Sequence, residues 1–260
     1  TEFLTDQIPA LSDMKKCLAL LLLLAPLAVS AQTGTITYDQ VVKMDIELPP
    51  EMESMRDQIP TESTSSHILY FTESETLMKN APVEETEEDT VVQGGGVMIR
   101  MDRSREENET YTNLDEGTVI EKRDFMGRTF LVSGEQPLLA WKLTGEQSEY
   151  QGFAVQKATA ERDSSMIEAW FSPEIPVSAG PDAFSGLPGL ILVLSIDEDR
   201  MVFSAKEINL EGFEEGVLKA PKKGKKVSRD EFDEIVEEKM KEMETQFGGR
   251  SGTQVIIRHN

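Results

Sequence analysis

The sequence predicts a mainly β protein: a long antiparallel meander forming a curved sheet or partly open barrel, with one amphipathic C-terminal helix packed on it. Two observations carry this prediction. Apolar and polar residues alternate with period two in successive short segments separated by turn residues, which is typical of strands buried on one face. One segment near the C-terminus instead repeats apolar residues every three or four positions, which predicts a helix. No period of about 20–50 residues repeats, so we expect neither a propeller nor a solenoid.

The first 31 residues differ in character from the rest. Met14-Lys15-Lys16 is a basic start, residues 17–29 (CLALLLLLAPLAV) are apolar, and Val29-Ser30-Ala31 supplies small residues for cleavage. We therefore predict a signal peptide at 14–31, preceded by a non-native upstream segment at 1–13. The apolar run of about thirteen residues is shorter than the roughly 20 needed to span a bilayer, which disfavours a membrane anchor.

Residues 32–260 are predicted to form a single β-rich domain with an acidic balance. The whole chain has 26 Lys and Arg against 48 Asp and Glu, a formal net charge of −22. Nucleic acids and anionic lipids need clustered basic side chains, so neither is expected as a partner. The single cysteine, Cys17, lies in the predicted signal peptide, so the mature chain has no thiol for a disulfide or a thiolate metal site. Export without disulfides suits a bacterial periplasm or cell surface.

The predicted strands are short runs rich in β-branched and aromatic residues, bounded by turn residues. The polar stretch 51–66 breaks the series, with a short helix proposed from Met52, Met55 and Ile59. Residues 190–194 are continuously apolar and should be buried on both faces. The predicted strands are 35–44, 67–71, 76–79, 97–101, 109–114, 118–125, 128–133, 138–144, 150–158, 166–171, 190–194, 201–206 and 254–258.

Two segments depart from this alternation. An insert near 80–110 contains the acidic run Glu84 to Asp89 and the triplet Gly94-Gly95-Gly96. A glycine triplet cradles phosphate when it opens a helix, but strand-like residues follow here, so we interpret it as a flexible connection. The lysine-rich stretch 219–226 (KAPKKGKK) is interpreted as a solvated linker.

The predicted helix occupies residues 228–247. Ser228 and Glu231 form a capping-box pattern, and Gly248-Gly249 ends the run. Because the polar face is mainly acidic, whereas membrane-surface helices carry basic polar faces, we expect the helix to pack on the sheet. Its apolar stripe comprises Phe232, Ile235, Val236, Met240, Met243 and Phe247.

The densest set of motifs lies between Trp141 and Leu194. In order it contains Trp141-Lys142-Leu143, Tyr150-Gln151-Gly152-Phe153 with Lys157-Ala158, Ala169-Trp170-Phe171, Gly180-Pro181, Phe184 and Gly186-Leu187-Pro188-Gly189-Leu190-Ile191. This ordered set resembles the GLPGLI family, also called Porph_ging, of exported Bacteroidota proteins. The resemblance implies an exported β-rich protein, often encoded near TonB-dependent outer-membrane receptors. It supplies no established activity and no catalytic residues.

The GLPGLI segment also has a direct physical interpretation. Gly186 and Gly189 bracket a turn that delivers strand 190–194 into the core, with Phe184 and Leu187 as apolar plugs. Two hypotheses remain: a structural corner, or a docking rim beside Trp141, Trp170 and Phe171. The candidate structural or docking residues are Gly180, Pro181, Phe184, Gly186, Leu187, Pro188, Gly189, Leu190, Ile191, Trp141 and Trp170.

Signatures of catalysis and of metal binding are weak. The sequence has no G-x-S-x-G or H-E-x-x-H pattern, and His67 and His259 are far apart. Asp197-Glu198-Asp199 and the run 84–89 offer oxygen ligands of the kind calcium prefers, but without the spaced D-x-D-x-D-G pattern. We predict no catalytic residue, no cofactor and no metal ligand, and leave calcium binding by the acidic segments open.

These observations favour a non-catalytic accessory or binding protein of a Gram-negative envelope, periplasmic, associated with the outer membrane or extracellular. Its expected partner is an outer-membrane receptor, of the TonB-dependent type that the resemblance implies, or another envelope protein. No transmembrane span is expected in the mature chain. One alternative is a periplasmic carrier whose hydrophobic ligand contacts Met240 and Met243. A hydrolase of unrecognised type is the other.

Overall fold

The computed structural model describes residues 32–44, 60–82, 91–94, 97–100 and 108–247, all within one compact unit, Gln32–Asn260. The predictions for residues 1–31, for the acidic run 84–89 and for a closing strand at 254–258 lie outside the described residues. So does most of the short helix proposed for 51–66.

The described residues form fourteen strands and one helix. The elements are β1 (Gly34–Lys43), β2 (Glu62–Phe71), β3 (Glu75–Asn80), β4 (Val91–Gly94), β5 (Val97–Arg100), β6 (Glu109–Asn113), β7 (Thr118–Phe125), β8 (Arg128–Glu135), β9 (Lys142–Tyr150), β10 (Phe153–Arg162), β11 (Ser165–Ser172), β12 (Leu190–Ile196), β13 (Met201–Asn209), β14 (Lys225–Ser228) and α1 (Arg229–Phe247).

Twelve of the strands form one sheet in the order β14-β8-β7-β6-β3-β2-β1-β13-β12-β11-β10-β9. Every neighbouring pair is antiparallel except β14 with β8, which is parallel. Strands β4 and β5 pair with each other, antiparallel, in a separate two-stranded sheet. The predicted fold class is confirmed: the protein is mainly β, a long antiparallel sheet that does not close into a barrel, with one C-terminal helix.

β4 was not predicted, and β10 spans Phe153–Arg162 instead of 150–158. Three further strands differ from their predictions. β2 begins at Glu62, inside the stretch interpreted as polar and helical. β9 spans Lys142–Tyr150 instead of 138–144, because Gln151-Gly152 forms a two-residue turn with φ of 50° and 82° and so ends the strand at Tyr150. Lys225 and Lys226 belong to β14 instead of a linker. Residues 62–66, residues 142–149 and the two lysines are exposed, so no buried face imposes the alternation that reveals a strand.

The main core lies between the sheet and the connection from β11 to β12, residues 173–189, which we call the corner segment. Tyr38, Phe71, Phe171 and Leu194 are among its fully buried side chains. The corner segment contributes Ile175, Val177, Ala179, Phe184 and Leu187 to the same core. A loop therefore fills the inner face of the sheet.

Helix α1 packs through its first half. Ser228 Oγ accepts the Glu231 N–H at 3.2 Å, and Glu231 Oε2 accepts the Ser228 N–H at 2.8 Å, so the predicted capping box is present. Phe232 then joins a second small cluster with Phe130, Val132 and Val227.

In the second half of α1, Met240 and Met243, which the sequence predicted to pack on the sheet, retain 38% and 40% of their accessible surface. Among the described residues, no helix has both the length and the apolar character needed to cross a bilayer.

Candidate functional site

The corner segment folds back on itself before it enters β12. Leu190 N–H donates to Ile175 O at 3.0 Å, and Ile191 N–H donates to Ala179 O at 2.9 Å. The side chains of Leu190 and Ile191 are fully buried. The end of the GLPGLI motif is thus hydrogen-bonded to the start of its own connection, and it begins the buried strand as predicted.

Two glycines of the motif region are required by close packing. A Cβ at Gly189 would lie 2.2 Å from Ser172 O and 2.6 Å from Ser172 C, both backbone atoms that cannot swing away. A Cβ at Gly180 would lie 2.8 Å from the Ile191 side chain. The middle and the end of the corner segment therefore approach their neighbours so closely that a Cβ at either glycine would force the neighbour to move.

The exposed turn of the motif is held by Trp141. Gly186 has a φ of +94°, which suits glycine, and a Cβ there would lie 3.4 Å from Trp141 Cδ1. Trp141 Nε1–H donates to Ser185 O at 2.7 Å. Gln136 Nε2–H donates to Ser185 Oγ at 2.7 Å and to Ala183 O at 3.2 Å. The connection between β8 and β9 is therefore fastened to the corner segment at both of its ends.

The remaining motif residues divide between the core and the surface. Phe184 and Leu187 are buried, as is Pro181, whereas Pro188 is exposed. The guanidinium carbon of Arg162 lies 5.1 Å from the centroid of the Phe184 ring, a cation–π contact. Most of the motif acts as a structural corner, and only Gly186 and Pro188 reach the surface.

The two tryptophans of the predicted rim have different contacts. Trp170 on β11 is half-buried, and its ring lies 5.9 Å from Lys157 Nζ. That ammonium also contacts Glu168 at 2.9 Å, and this hydrogen bond raises the pKa of Lys157. Phe171 is fully buried and so cannot line a rim. Of the three aromatic residues, Trp141 alone contacts the exposed turn.

Trp141 instead has exposed apolar neighbours along the chain. Leu138 and Leu143 retain 93% and 60% of their accessible surface, the two largest values for large apolar side chains in the described residues. We call Leu138, Trp141 and Leu143 the apolar rim. Leu138 and Leu143 expose apolar surface on either side of the anchored Trp141 in the sequence, and a docking partner would bury that surface.

The apolar rim leads into the last strand of the sheet. In β9 the residues from Lys142 to Glu149 are all exposed, on both faces of the strand. β10 pairs with one edge of β9, and no described strand pairs with the other. Among the described strands, the second backbone edge of β9 is free, and it follows the rim directly in the sequence.

A second set of side chains on the sheet is polar. Thr110 Oγ1–H donates to Asp182 Oδ1 at 2.8 Å, and Arg123 Nη2 lies 3.6 Å from the same oxygen. Glu121 is only 5% exposed and is contacted by Arg123 Nε at 2.7 Å and by the Arg229 guanidinium. This ion-pair network connects the corner segment, the sheet and the start of α1.

His67, one of the two histidines considered in the sequence, has two polar neighbours on its strand face. Its Nε2 lies 3.0 Å from Ser65 Oγ and 2.9 Å from Gln40 Oε1. Burial lowers the pKa of His67, with opposing influences from Asp182 and Arg123. Among the described residues, no carboxylate is hydrogen-bonded to His67, so the third member that orients a catalytic histidine is not assembled. The i, i+2 spacing of Ser65 and His67 in a strand was the sequence signal for this contact.

The acidic turn between β12 and β13 is internally paired. Ser195 Oγ–H donates to Asp199 Oδ1 at 2.6 Å, and Arg200 Nη1 lies 3.5 Å from Asp197 Oδ2. Within the part of the chain that the structure describes, no three acidic, histidine or cysteine side chains converge as metal ligands would.

The part of the chain that forms the apolar rim and the corner segment matches a known protein family. A family model described as "Protein of unknown function (Porph_ging)" matches residues 61–193, a range that includes the apolar rim, β9 and the corner segment. The chain belongs to the Porph_ging family. The predicted family resemblance is thereby confirmed. None of the curated proteins matches the chain.

Two solved structures of PNGF-II, in the P21 and C2 space groups, share the fold of this Porph_ging chain. Their TM-scores are 0.52 and 0.51, at 16% and 17% sequence identity. Each comparison covers 79% of this chain and 33% of the PNGF-II chain, so the Porph_ging chain spans about a third of the length of PNGF-II. At such identity the likeness concerns the fold alone.

Proposed function

We propose that this Porph_ging protein is a non-catalytic binding protein, exported to the periplasm or outer surface of a bacterial envelope, that docks on another envelope protein. The observation that carries the proposal is the apolar rim, in which Leu138 is 93% exposed between two anchored residues. The basic-apolar-small pattern of residues 14–31 supports export. A TonB-dependent outer-membrane receptor is the candidate partner, because the family resemblance implies that setting.

The rim is preorganised for docking. Gln136 on one side of Leu138 and Trp141 on the other are both hydrogen-bonded to the corner segment. A surface that is already ordered loses little conformational freedom when a partner binds. Leu138 exposes nearly all of its apolar surface to solvent, and a partner that covered it would gain the free energy of burying that surface.

The alternative of a hydrophobic-ligand carrier has less support. The corner segment fills the inner face of the sheet with buried apolar side chains. A shallow groove of about 270 Å³ between β14 and α1 is lined mainly by charged residues, among them Lys225, Lys226, Glu231, Glu234 and Glu238. Met240 and Met243 lie on the exposed second half of α1 and do not line that groove.

The hydrolase alternative rests on the Ser65–His67 contact. Ser65 Oγ also lies 3.1 Å from Gln40 Oε1, and Gln40 contacts the same histidine nitrogen, so the hydroxyl and the ring share one acceptor. This arrangement satisfies the polar groups of neighbouring strands without freeing a base. A binding role therefore explains more of the described surface.

A capture experiment tests the binding role. The double variant Leu138→Asp with Leu143→Asp places two charges on the rim, while Met126→Asp places one on another exposed apolar side chain, at the β7–β8 turn. We expect the unaltered chain and Met126→Asp to capture the same identified envelope protein, and the double variant to bind it at least about tenfold more weakly. Equal circular-dichroism spectra of the three proteins verify the fold. Equal capture by all three, or capture by none, contradicts the proposal.

A further inference from the structure

We infer that the free edge of β9 receives an extended, lysine- or arginine-bearing segment of the partner protein as an added β-strand, with the apolar rim covering one end of that segment. This inference rests on the proposed docking function and specifies its geometry. Strand addition takes its affinity from backbone hydrogen bonds and its selectivity from the flanking side chains.

The hairpin that ends β9 determines which backbone groups face outward. Gln151 and Gly152, both with positive φ, form the two-residue turn, and Tyr150 pairs with Phe153. Such turns close on a hydrogen-bonded pair, and hydrogen-bonded and open pairs then alternate along an antiparallel ladder. Glu149 and Gln147 occupy the open pairs, opposite Ala154 and Gln156. Their N–H and C=O groups therefore point away from β10, towards an incoming strand.

A bulge limits the edge that a strand can use. Gly145 has a φ of +83°, and the register with β10 shifts between Gln156 and Ala158. Thr144 Oγ1 accepts the Glu146 N–H at 3.2 Å and donates to Lys157 O at 3.3 Å, which holds the bulge in place. Bulges restrict indiscriminate pairing at sheet edges. The regular part of the edge is therefore residues 147–150, and Leu143 lies beyond the bulge, paired with Ala158.

The negative charge of this chain favours a strand of another protein, and not a second copy of this chain, as the strand that pairs with the edge of β9. The whole chain carries a formal charge of −22, so a β9-to-β9 dimer would bring together two strongly acidic bodies. On β9 itself, Glu146 lies 3.8 Å from Lys157, whereas Glu149 makes no ion pair within the described residues. Opposite charges directly across paired strands stabilise the pair. A cationic segment fits this edge better than an acidic one.

The apolar rim adds selectivity at one end of the added strand. Leu143 is 60% exposed on the bulged end of β9, opposite Ala158 in the register. An apolar residue of the incoming strand beside Leu143 would bury both side chains. We therefore expect the partner segment to combine basic residues near Glu149 with an apolar residue near Leu143.

A pair of variants at one position tests strand addition. Gln147→Pro removes an outward N–H that β10 does not use, whereas Gln147→Ala retains it, and proline is tolerated at such edge positions. Each variant, as the full chain, carries a photo-reactive benzoylphenylalanine in place of Leu143 and is irradiated in the envelope fraction of the producing bacterium. Cross-linked peptides are then sequenced by mass spectrometry.

We expect the Gln147→Ala chain to cross-link to a basic segment of one envelope protein, and the Gln147→Pro chain to do so at least about tenfold less. Glu149→Lys should reduce the cross-link as well, most strongly at low salt. Equal cross-linking by the proline and alanine variants contradicts strand addition but leaves rim-dependent capture intact. A cross-link to a second copy of this chain, or to an acidic segment, overturns the assigned partner. Absence of both the cross-link and rim-dependent capture removes the proposed function itself.

Discussion

Two rows of side chains on the same sheet show two ways of building a buried surface. In one row Ala158, Ala169, Leu194 and Phe203 lie opposite one another across β10, β11, β12 and β13, and all are apolar and buried. In the other, Met78, Thr110, Glu121 and Val132 lie opposite one another across β3, β6, β7 and β8. All four are also buried, but two are polar.

The difference lies in the kind of contact that each row needs. The apolar row needs only a partner of matching shape, and the corner segment supplies it. The polar row needs hydrogen-bond and charge partners from distant parts of the chain: Asp182 for Thr110 and Arg229 for Glu121. The apolar half should therefore be most sensitive to added volume, and the polar half to lost charge.

The largest expected effect comes from adding one methyl group at the corner. Gly189→Ala drives a Cβ to 2.2 Å from Ser172 O, so the backbone of β11 or β12 must move. We expect the free energy of unfolding to fall by about 3 kcal/mol or more, measured by urea denaturation. Gly127→Ala is the control, because nothing lies near its Cβ; its φ of +72° should cost only about 1 kcal/mol. Equal losses at the two positions would refute the importance of close packing at the corner.

A smaller effect is expected from neutralising the buried carboxylate of the polar half. Glu121→Gln leaves Arg123 and Arg229 without their shared anion, but both guanidinium groups are partly exposed. Solvent screening therefore reduces the loss to about 1–2 kcal/mol. A double-mutant cycle with Arg229→Gln should show positive coupling between the two sites. Glu237→Gln, in the exposed helix pair with Lys241, should leave the unfolding free energy unchanged within error.

The smallest expected effect is visible only at alkaline pH. Burial and then the hydrogen bond to Glu75 raise the pKa of Tyr111 from 10.0 to about 12. Because the folded state holds this proton more tightly, the stabilisation is complete below pH 10 and is lost as the pH rises towards about 12. We expect unfolding free energy measured across this window to fall less steeply in Tyr111→Phe. An identical slope in both proteins contradicts the assignment to Tyr111.

A contrast between buried and exposed strands explains which strands the sequence predicts correctly. β7 and β12 were predicted within two residues because alternation, or a continuous apolar run, reports burial directly. β9 was misplaced because its residues are exposed on both faces and carry no alternation. β14 was missed because four residues, two of them lysine, form a strand only when the parallel edge of β8 is available.

The candidate site was predictable only in its local part. Residues 186–191, the GLPGLI motif, predicted a turn into a buried strand, because glycine and proline are common in such turns. The hydrogen bond from Trp141 to Ser185 O joins residues distant in sequence, so no local pattern could reveal that the motif anchors the apolar rim. Leu138 gave no signal either, because an exposed leucine and a buried one look identical in a sequence.

The position of β1 has a consequence for the order of folding. β1 lies in the middle of the sheet, and Thr35 pairs with Tyr70 on one side and with Asn209 on the other. A chain that emerges from its N-terminus can form the first ladder early, but the second must await almost the whole length of the protein. Until β13 has been synthesised, the backbone N–H and C=O groups on one side of β1 have no partner strand there, and an unpaired strand edge promotes aggregation. Among the described strand pairs, β1 and β13 are the furthest apart in the sequence. Contacts between residues so far apart along the chain slow folding.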